Sequence, residues 1–357
     1  MDLGLKQIKY KSGENMKEIS DNTSFKLEQC YLLLTRRCNL SCTHCIRSSD
    51  SSFNEYIKLE LANLIITDLS SKFPYATLLL SGGEPTLHPN FGDIVHTALN
   101  SFDKVIINTN GMNLTRLKQI NLNNSHNLEI QISIDGDLSI HESIRGSNTF
   151  YKTLNHIEEL SKAGYKVVIA STVSNKNIDS MINLDSELTK LVFEQWNLKR
   201  IVGYGRASDL NDIKTEQWNS FVSYVHKNFQ NTFRIRINPM FSLTSILKMQ
   251  NSTKPTSNRA NCGTGRSKLY INPNGTVYPC ACMEEQIIGN FNNETFSTIQ
   301  TRLENFSVIP TPDSICHQCY AWKQCQGGCP GISRRMNSKG DPRCPIVKKF
   351  NYAQKYN

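Results

Sequence analysis

Twelve of the 357 residues are cysteine, and all but Cys30 fall into two spaced groups. The first is Cys38-Asn-Leu-Ser-Cys42-Thr-His-Cys45, three thiols within eight residues. Three thiolates cannot saturate a four-iron cluster, so one iron would stay open to a substrate or cosubstrate. The competing use of such a stretch is a zinc knuckle, with Cys42 and Cys45 joined by another pair. The second group runs from Cys262 to Cys344 and holds eight cysteines with Gly and Pro between them. A segment of that composition is expected to form little apolar core and to be built around metal. Disulfides are not the expected use. The N-terminus MDLGLKQIKYKSGENMKEIS has no apolar signal region, and no stretch reaches the roughly 20 apolar residues of a membrane helix. Both point to the cytoplasm, where thiols stay reduced.

A loop of thiols needs a scaffold, and residues 31–205 supply a repeating one. Short β-branched or Leu-rich runs at Tyr31–Thr35, Ala76–Ser81, Lys104–Thr109, Leu128–Asp135, Lys166–Thr172 and Trp196–Gly203 read as strands. Amphipathic stretches near 57–73, 91–101, 113–121, 149–163 and 178–191 read as helices between them. In the clearest, Phe150, Leu154, Ile157 and Leu160 form one stripe, with Thr149 as an N-cap and Gly164 as the stop. Six alternating units predict a parallel sheet with right-handed crossovers, an open partial (β/α)6 barrel followed by a C-terminal cysteine-rich iron–sulfur domain. The first cysteine group then sits after the first strand, at the carboxyl edge where α/β active sites lie.

The cysteine spacing and the strand-end motifs resemble those of radical S-adenosylmethionine (SAM) enzymes. Cys38, Cys42 and Cys45 match that family's CX3CX2C motif, and Ser81-Gly82-Gly83-Glu84-Pro85 at the end of strand two matches its GGEP turn. The resemblance implies that this turn exposes backbone acceptors to the methionyl ammonium of SAM, where no Cβ is tolerated. Thr109-Asn110-Gly111 ends strand three, Ser133-Ile-Asp135-Gly136 ends strand four, and Arg145 follows. By the same resemblance Gly82, Gly83, Glu84, Pro85, Asn110, Ser133, Asp135 and Arg145 are cofactor-binding candidates, Ser133 and Arg145 reaching the SAM carboxylate or ribose. His44, His88 and His141 read as packing or loop residues.

The second group resembles the SPASM extension: Cys262, Gly275 and Cys280, then Cys316-X2-Cys319-X5-Cys325-X3-Cys329, then Cys344. Carried over, Cys262, Cys280 and Cys329 hold a nearer auxiliary cluster, and Cys316, Cys319, Cys325 and Cys344 a farther one. Two cysteines remain. Cys30 precedes the first expected strand and reads as a small buried hydrophobe. Cys282 is a fourth ligand, a hydrogen donor or a small loop residue, and the stretch KPTSNRAN before Cys262 offers no alternative thiol. The expected division is a tail at 1–30, the radical SAM barrel at 31–205, a helical bridge with a polar linker (NSTKPTSN, 251–258) at 206–260, and the auxiliary-cluster domain at 261–357.

The implied activity is of oxidoreductase type: reductive cleavage of SAM to a 5′-deoxyadenosyl radical, which takes hydrogen from a ribosomally made peptide, ending in a thioether, a carbon–carbon crosslink or epimerisation. Its cofactors would be [4Fe-4S] clusters, one SAM-binding and two auxiliary, and SAM itself. Its partners would be the precursor peptide and a reductant such as flavodoxin or ferredoxin. The opening residues are too few for a leader-binding domain, so a separate leader-binding protein or the barrel surface is expected to take that role. An anaerobic sulfatase-maturing enzyme is the alternative, but that group places an acid after the equivalent of Cys280 and this chain has Ala281. A small-molecule or haem-pathway radical SAM enzyme is another, and a non-catalytic iron–sulfur carrier or zinc-bound nucleic-acid binder a third. Forty Lys and Arg against 31 Asp and Glu give +9, which invites the last. Three-thiolate and four-thiolate clusters add about −1 and −2 each, so one and two of them lower the charge to about +4. The basic balance therefore does not call for nucleic acid, and no membrane partner is expected. Anaerobically reconstituted protein should hold about twelve irons; about four irons with bound zinc, measured by plasma emission, would make residues 262–344 a zinc module.

Overall fold

The structure is a computed structural model that describes residues 25–121, 126–207, 213–229, 233–238, 262–306, 314–319, 322–325 and 327–348. The expected tail at 1–30 lies outside them except for its last six residues, as does the linker at 251–258. Six parallel strands run in sequence order: β1 (Gln29–Thr35), β2 (Thr77–Gly82), β3 (Lys104–Thr109), β4 (Leu128–Ser133), β5 (Val167–Val173) and β6 (Gln195–Arg200). Their outward residues, such as Leu32, Leu78, Leu80, Ile107, Ile130, Ile132 and Ile169, are fully buried against the helices. Those helices are α1 (Leu59–Lys72), α2 (Phe91–Ser101), α3 (Leu114–Lys118), α4 (Leu138–Arg145), α5 (Phe150–Lys162) and α6 (Ser180–Leu188). A strand covered by helices on its outward face carries apolar residues at every second position there at least, which is why these runs read so clearly.

Several expectations change. Cys30 lies inside β1, paired with Leu78 on one side and Leu269 on the other, fully buried among apolar neighbours. Thr149 makes no side-chain cap to α5; its hydroxyl donates to the Gly146 carbonyl at 2.6 Å instead. Helix α4 has no counterpart in the sequence reading, since its apolar spacing is short and Asp137 alone marks its start, accepting from the Ile140 N–H at 3.2 Å. In the bridge, α7 (Thr215–Asn228) matches the expected helix, but it is followed by a strand, β7 (Arg234–Arg236), parallel to β6.

The larger change is at the cysteine-rich segment. Its strand β8 (Lys268–Ile271) pairs parallel with β1, and β9 (Thr276–Tyr278) and β10 (Gly289–Asn290) follow antiparallel. The result is one ten-stranded sheet, open among the described residues, ordered β10-β9-β8-β1-β2-β3-β4-β5-β6-β7. Leu269, Ile271, Val277 and, from α8 (Phe296–Glu304), Phe296, Ile299 and Leu303 bury into the same apolar core as the barrel. The segment is thus half core and half metal loop, because β1 would otherwise leave an exposed, hydrogen-bond-hungry edge. Leu269→Ala should lower the stability of the whole sheet by about 2–5 kcal/mol. In urea, the barrel's own far-UV transition should move with it; an unmoved barrel transition would mean the two parts do not share a core.

Candidate active site at the carboxyl edge of the sheet

The pairing of β1 with β2 slips by one residue between Leu33 and Thr35, just where the chain leaves the sheet for the cysteine loop. That loop has no regular structure, so its backbone groups must be satisfied from outside. The Thr35 and Arg37 carbonyls accept from the Gly83 and Glu84 N–H groups at 2.8 and 2.9 Å. A Cβ at Gly83 would lie 2.3 Å from the Arg37 carbonyl oxygen, and one at Gly82 equally close to that of Thr35. The two glycines therefore dock the GGEP turn onto the cysteine loop, a requirement that holds whatever else the turn binds. Thr43 N–H donates to the Ile144 carbonyl of α4 at 2.9 Å. Arg206 closes the loop from the far side. Its backbone N–H donates to the Cys45 carbonyl at 3.0 Å, and its guanidinium to the Cys42 and Ser49 carbonyls at 2.8 and 2.6 Å. Sequence reasoning missed Arg206; its one signal is its place six residues beyond β6, where Gly-Tyr-Gly precedes it.

Cys38 and Cys42 are buried and Cys45 is half-buried. Burial pushes the Cys38 thiol up to about 12. Such a thiol ionises on binding a cation, not on its own. Asn110 Nδ2 lies 3.8 Å from the Cys38 sulfur, and Arg145 Nη1 3.9 Å from that of Cys42. A donor and a cation beside thiolates suit an anionic cluster–thiolate core, which is what this donor set fits.

Glu84 and Asp135 turn inward, and neither carboxylate is exposed. Glu84 accepts from Thr86 N–H and hydroxyl at 3.2 and 2.7 Å, the Thr109 hydroxyl at 2.7 Å and Asn110 N–H at 2.8 Å. It ties the end of β2 to the end of β3 and so places Asn110. Pro85, also buried, opens the short helical turn Pro85–Leu87 that follows. Asp135 accepts from Arg145 Nε at 2.6 Å and Thr172 N–H at 2.7 Å, with His44 Nε2 at 3.1 Å. Burial alone would raise its pKa, but Arg145 and His44 hold the carboxyl well below the usual carboxylate range. Its effect at the site is to aim Arg145 at Cys42. Ser133 ends β4, half-buried on the inner face. His88 and His141 are packing residues: His88 Nε2 meets the Ile57 carbonyl at 2.7 Å, and His141 Nδ1 accepts from Asp135 N–H at 3.2 Å. His44 is not, because it belongs to the Asp135 ion-pair network.

The other cysteines form two further groups. Cys316, Cys319, Cys325 and Cys344 line one recess with Ile315, Trp322, Asp341, Ile346 and Val347. Four thiols around one apolar recess suit a cluster core. Cys262, Cys280, Cys282 and Cys329 are the rest of the C-terminal cysteines, with the Cys282 backbone N–H donating to the Cys280 sulfur at 3.4 Å. Asp341 joins the groups, accepting from Cys329 N–H at 2.9 Å while its carbonyl accepts from Cys344 N–H at 3.0 Å. Among the described residues no three His, Cys, Asp or Glu side chains converge on a position for a single metal ion.

Comparison with known proteins agrees with this architecture. Residues 32–185 match the Radical SAM superfamily and residues 262–320 the SPASM iron–sulfur cluster-binding domain. The chain thus carries a radical SAM region and a SPASM region, and iron–sulfur clusters and SAM are the cofactors of these domains. It is 26% identical over 306 residues to the mycofactocin maturase MftC of Mycolicibacterium smegmatis, covering 83% of this chain and 76% of that one. It is 26% identical over 271 residues to the sporulation killing factor maturation protein SkfB of Bacillus subtilis, covering 76% of this chain but only 64% of SkfB. It is also 24% identical over 312 residues to the AdoMet-dependent heme synthase of Methanosarcina barkeri, covering 82% and 88%. Streptococcus suis SuiB, which has also been crystallised with its precursor peptide SuiA, shares the fold with a TM-score of 0.72 at 16% identity, over 90% of this chain and 77% of SuiB. No helix among the described residues is long and apolar enough to cross a membrane.

The packing at Asp135 makes a pH prediction. Burial, and then the nearby Arg145 charge, push His141 down from 6.5 to about 4. The unfolded chain therefore binds this proton first as pH falls, and stability is lost between about 6.5 and 4, by at most about 3 kcal/mol. The depressed Asp135 acts in the same direction below about 3.9. His141→Gln, which keeps an acceptor for Asp135 N–H, should flatten the upper part of that profile in urea titrations from pH 7.5 to 4.5. An unchanged slope would remove His141 as the cause.

Proposed function

We propose that Cys38, Cys42 and Cys45 hold a four-iron cluster with one open iron, against which SAM binds, and that the enzyme modifies a peptide in the cytoplasm by oxidoreductase-type chemistry. One observation carries this reading: three sulfurs are held by backbone contacts at the sheet's carboxyl edge, with Arg145 and Asn110 at two of them. When bound, the reduced cluster and SAM together supply a carbon radical able to take hydrogen from an unactivated carbon. The chain's own residues bind and orient. Arg145, kept charged by Asp135, would take the carboxylate of SAM. The GGEP turn and Asn110 would hold it from either side, and Ser133 lies on the inner face. Cys316, Cys319, Cys325 and Cys344 hold the farther auxiliary cluster, and Cys262, Cys280 and Cys329 the nearer one.

The peptide class is supported by the maturases among the relatives and by the inner sheet face. There Gln131 donates to Asn108, Asn197 to Gln131 at 3.1 Å, and Gln195 to Asn197. This row of amides across β3, β4 and β6 presents the same donors and acceptors as a peptide backbone. A haem-pathway reaction is the second reading, favoured by the heme synthase likeness. Replacing Cys38, Cys42 and Cys45 together by Ala should abolish 5′-deoxyadenosine formation, read by chromatography, while leaving the other clusters in place. With a short peptide encoded beside this chain, mass spectrometry in deuterated buffer should show a deuterium gain for epimerisation or loss of two hydrogens for a crosslink. SAM cleavage retained by the triple variant would remove the radical SAM reading. Turnover of a porphyrin precursor without any peptide change would favour the second.

A further inference from the structure

The nearer auxiliary group has a thiol that the SPASM spacing does not use. Cys262, Cys280 and Cys329 come from three separate segments, and three thiolates leave one iron of a four-iron core without a protein ligand. Cys282, two residues beyond Cys280, donates its backbone N–H to the Cys280 sulfur at 3.4 Å, and its side chain packs against Gly331, two residues beyond Cys329. Cys282 therefore lies between the segments that carry Cys280 and Cys329.

Two observations separate the ligand role from the others. First, Cys282 is only 4% exposed, whereas a hydrogen donor to a substrate radical needs an open path. Gly331 covers it so closely that a Cβ there would lie 2.9 Å from the Cys282 Cβ. The Tyr204 hydroxyl holds that cover by donating to the Gly331 carbonyl at 3.1 Å. Second, the cysteine inventory closes. Three sulfurs lie on the first loop and four in the apolar recess; Cys30 is sealed in β1, and the remaining four are these.

We infer that Cys282 is the fourth ligand of the nearer auxiliary cluster, which is therefore saturated by protein and has no coordination position for substrate. This rests on the reading of residues 262–344 as a two-cluster module.

The test uses full-length, anaerobically reconstituted protein carrying Cys38→Ala, Cys42→Ala and Cys45→Ala, so that only auxiliary clusters contribute. This parent should hold about eight irons, and its reduced EPR spectrum should not respond to cyanide. Adding Cys282→Ala should free one iron, so that one of the two EPR signals shifts and becomes cyanide-sensitive, or about four irons are lost while the other signal stays. Cys282→Ser, nearly the same size and with a weaker oxygen ligand, should keep all eight irons with a shifted spectrum, which separates lost ligation from lost folding. Cys30→Ala should change nothing in these spectra. A parent that already responds to cyanide, or a Cys282→Ala spectrum superimposable on the parent's with equal iron, would overturn the ligand assignment. A parent with zinc in place of iron would overturn the cluster module itself, and Cys282 with it.

Discussion

An irregular loop must hold three sulfurs still, and the rest of the structure serves that constraint. A loop has no ladder to satisfy its carbonyls and N–H groups, so neighbours supply the partners. The GGEP turn donates two N–H groups, α4 accepts one, and Arg206 reaches three carbonyls from beyond β6. Each partner comes from a different element of the sheet edge. The loop is positioned by the whole barrel and not by its own sequence, which is why its spacing alone is only moderately telling.

The buried charges follow from the same need. Asp135 sits beneath the sulfurs with Arg145 and His44 around it. A buried pair of this kind contributes little net stability, since desolvation offsets its Coulomb gain. Its effect is orientation: the guanidinium keeps one face toward Asp135 and one toward Cys42. Glu84 does the equivalent for Asn110 with neutral donors only. Burial raises its pKa, and its hydrogen bonds oppose that rise. Two acidic residues at strand ends thus shape the site through the neighbours they fix.

The auxiliary segment shows how a metal-binding region gains a rigid base. Its first half extends the barrel sheet beyond β1 and buries Leu269, Ile271 and Phe296 in the common core. Tyr270 of β8 stacks on Tyr31 of β1 with ring centroids 4.3 Å apart. Arg47, from the first cysteine loop, lies over the rings of Tyr270 and Tyr278 at 5.5 and 5.2 Å. Cys262 and Cys280 therefore flank β8 and β9, a continuation of the sheet that carries the first loop.

The sequence by itself determined the six βα units, the two cysteine groups and the strand-end motifs. Parallel strands packed under helices leave apolar residues at regular positions, and thiol ligands must recur at spacings the chain can show. It did not reveal α4, whose eight residues are too few to show a sustained apolar period, nor β7 and β8, whose three and four residues are too short to read as strands. The inward turn of Glu84 and Asp135, the reach of Arg206 to the cysteine loop and the closure of Gly331 over Cys282 were decided only by tertiary structure. Each depends on contacts between residues 10 to 164 positions apart, and which way a polar side chain faces at a strand end is set by partners that no local pattern records.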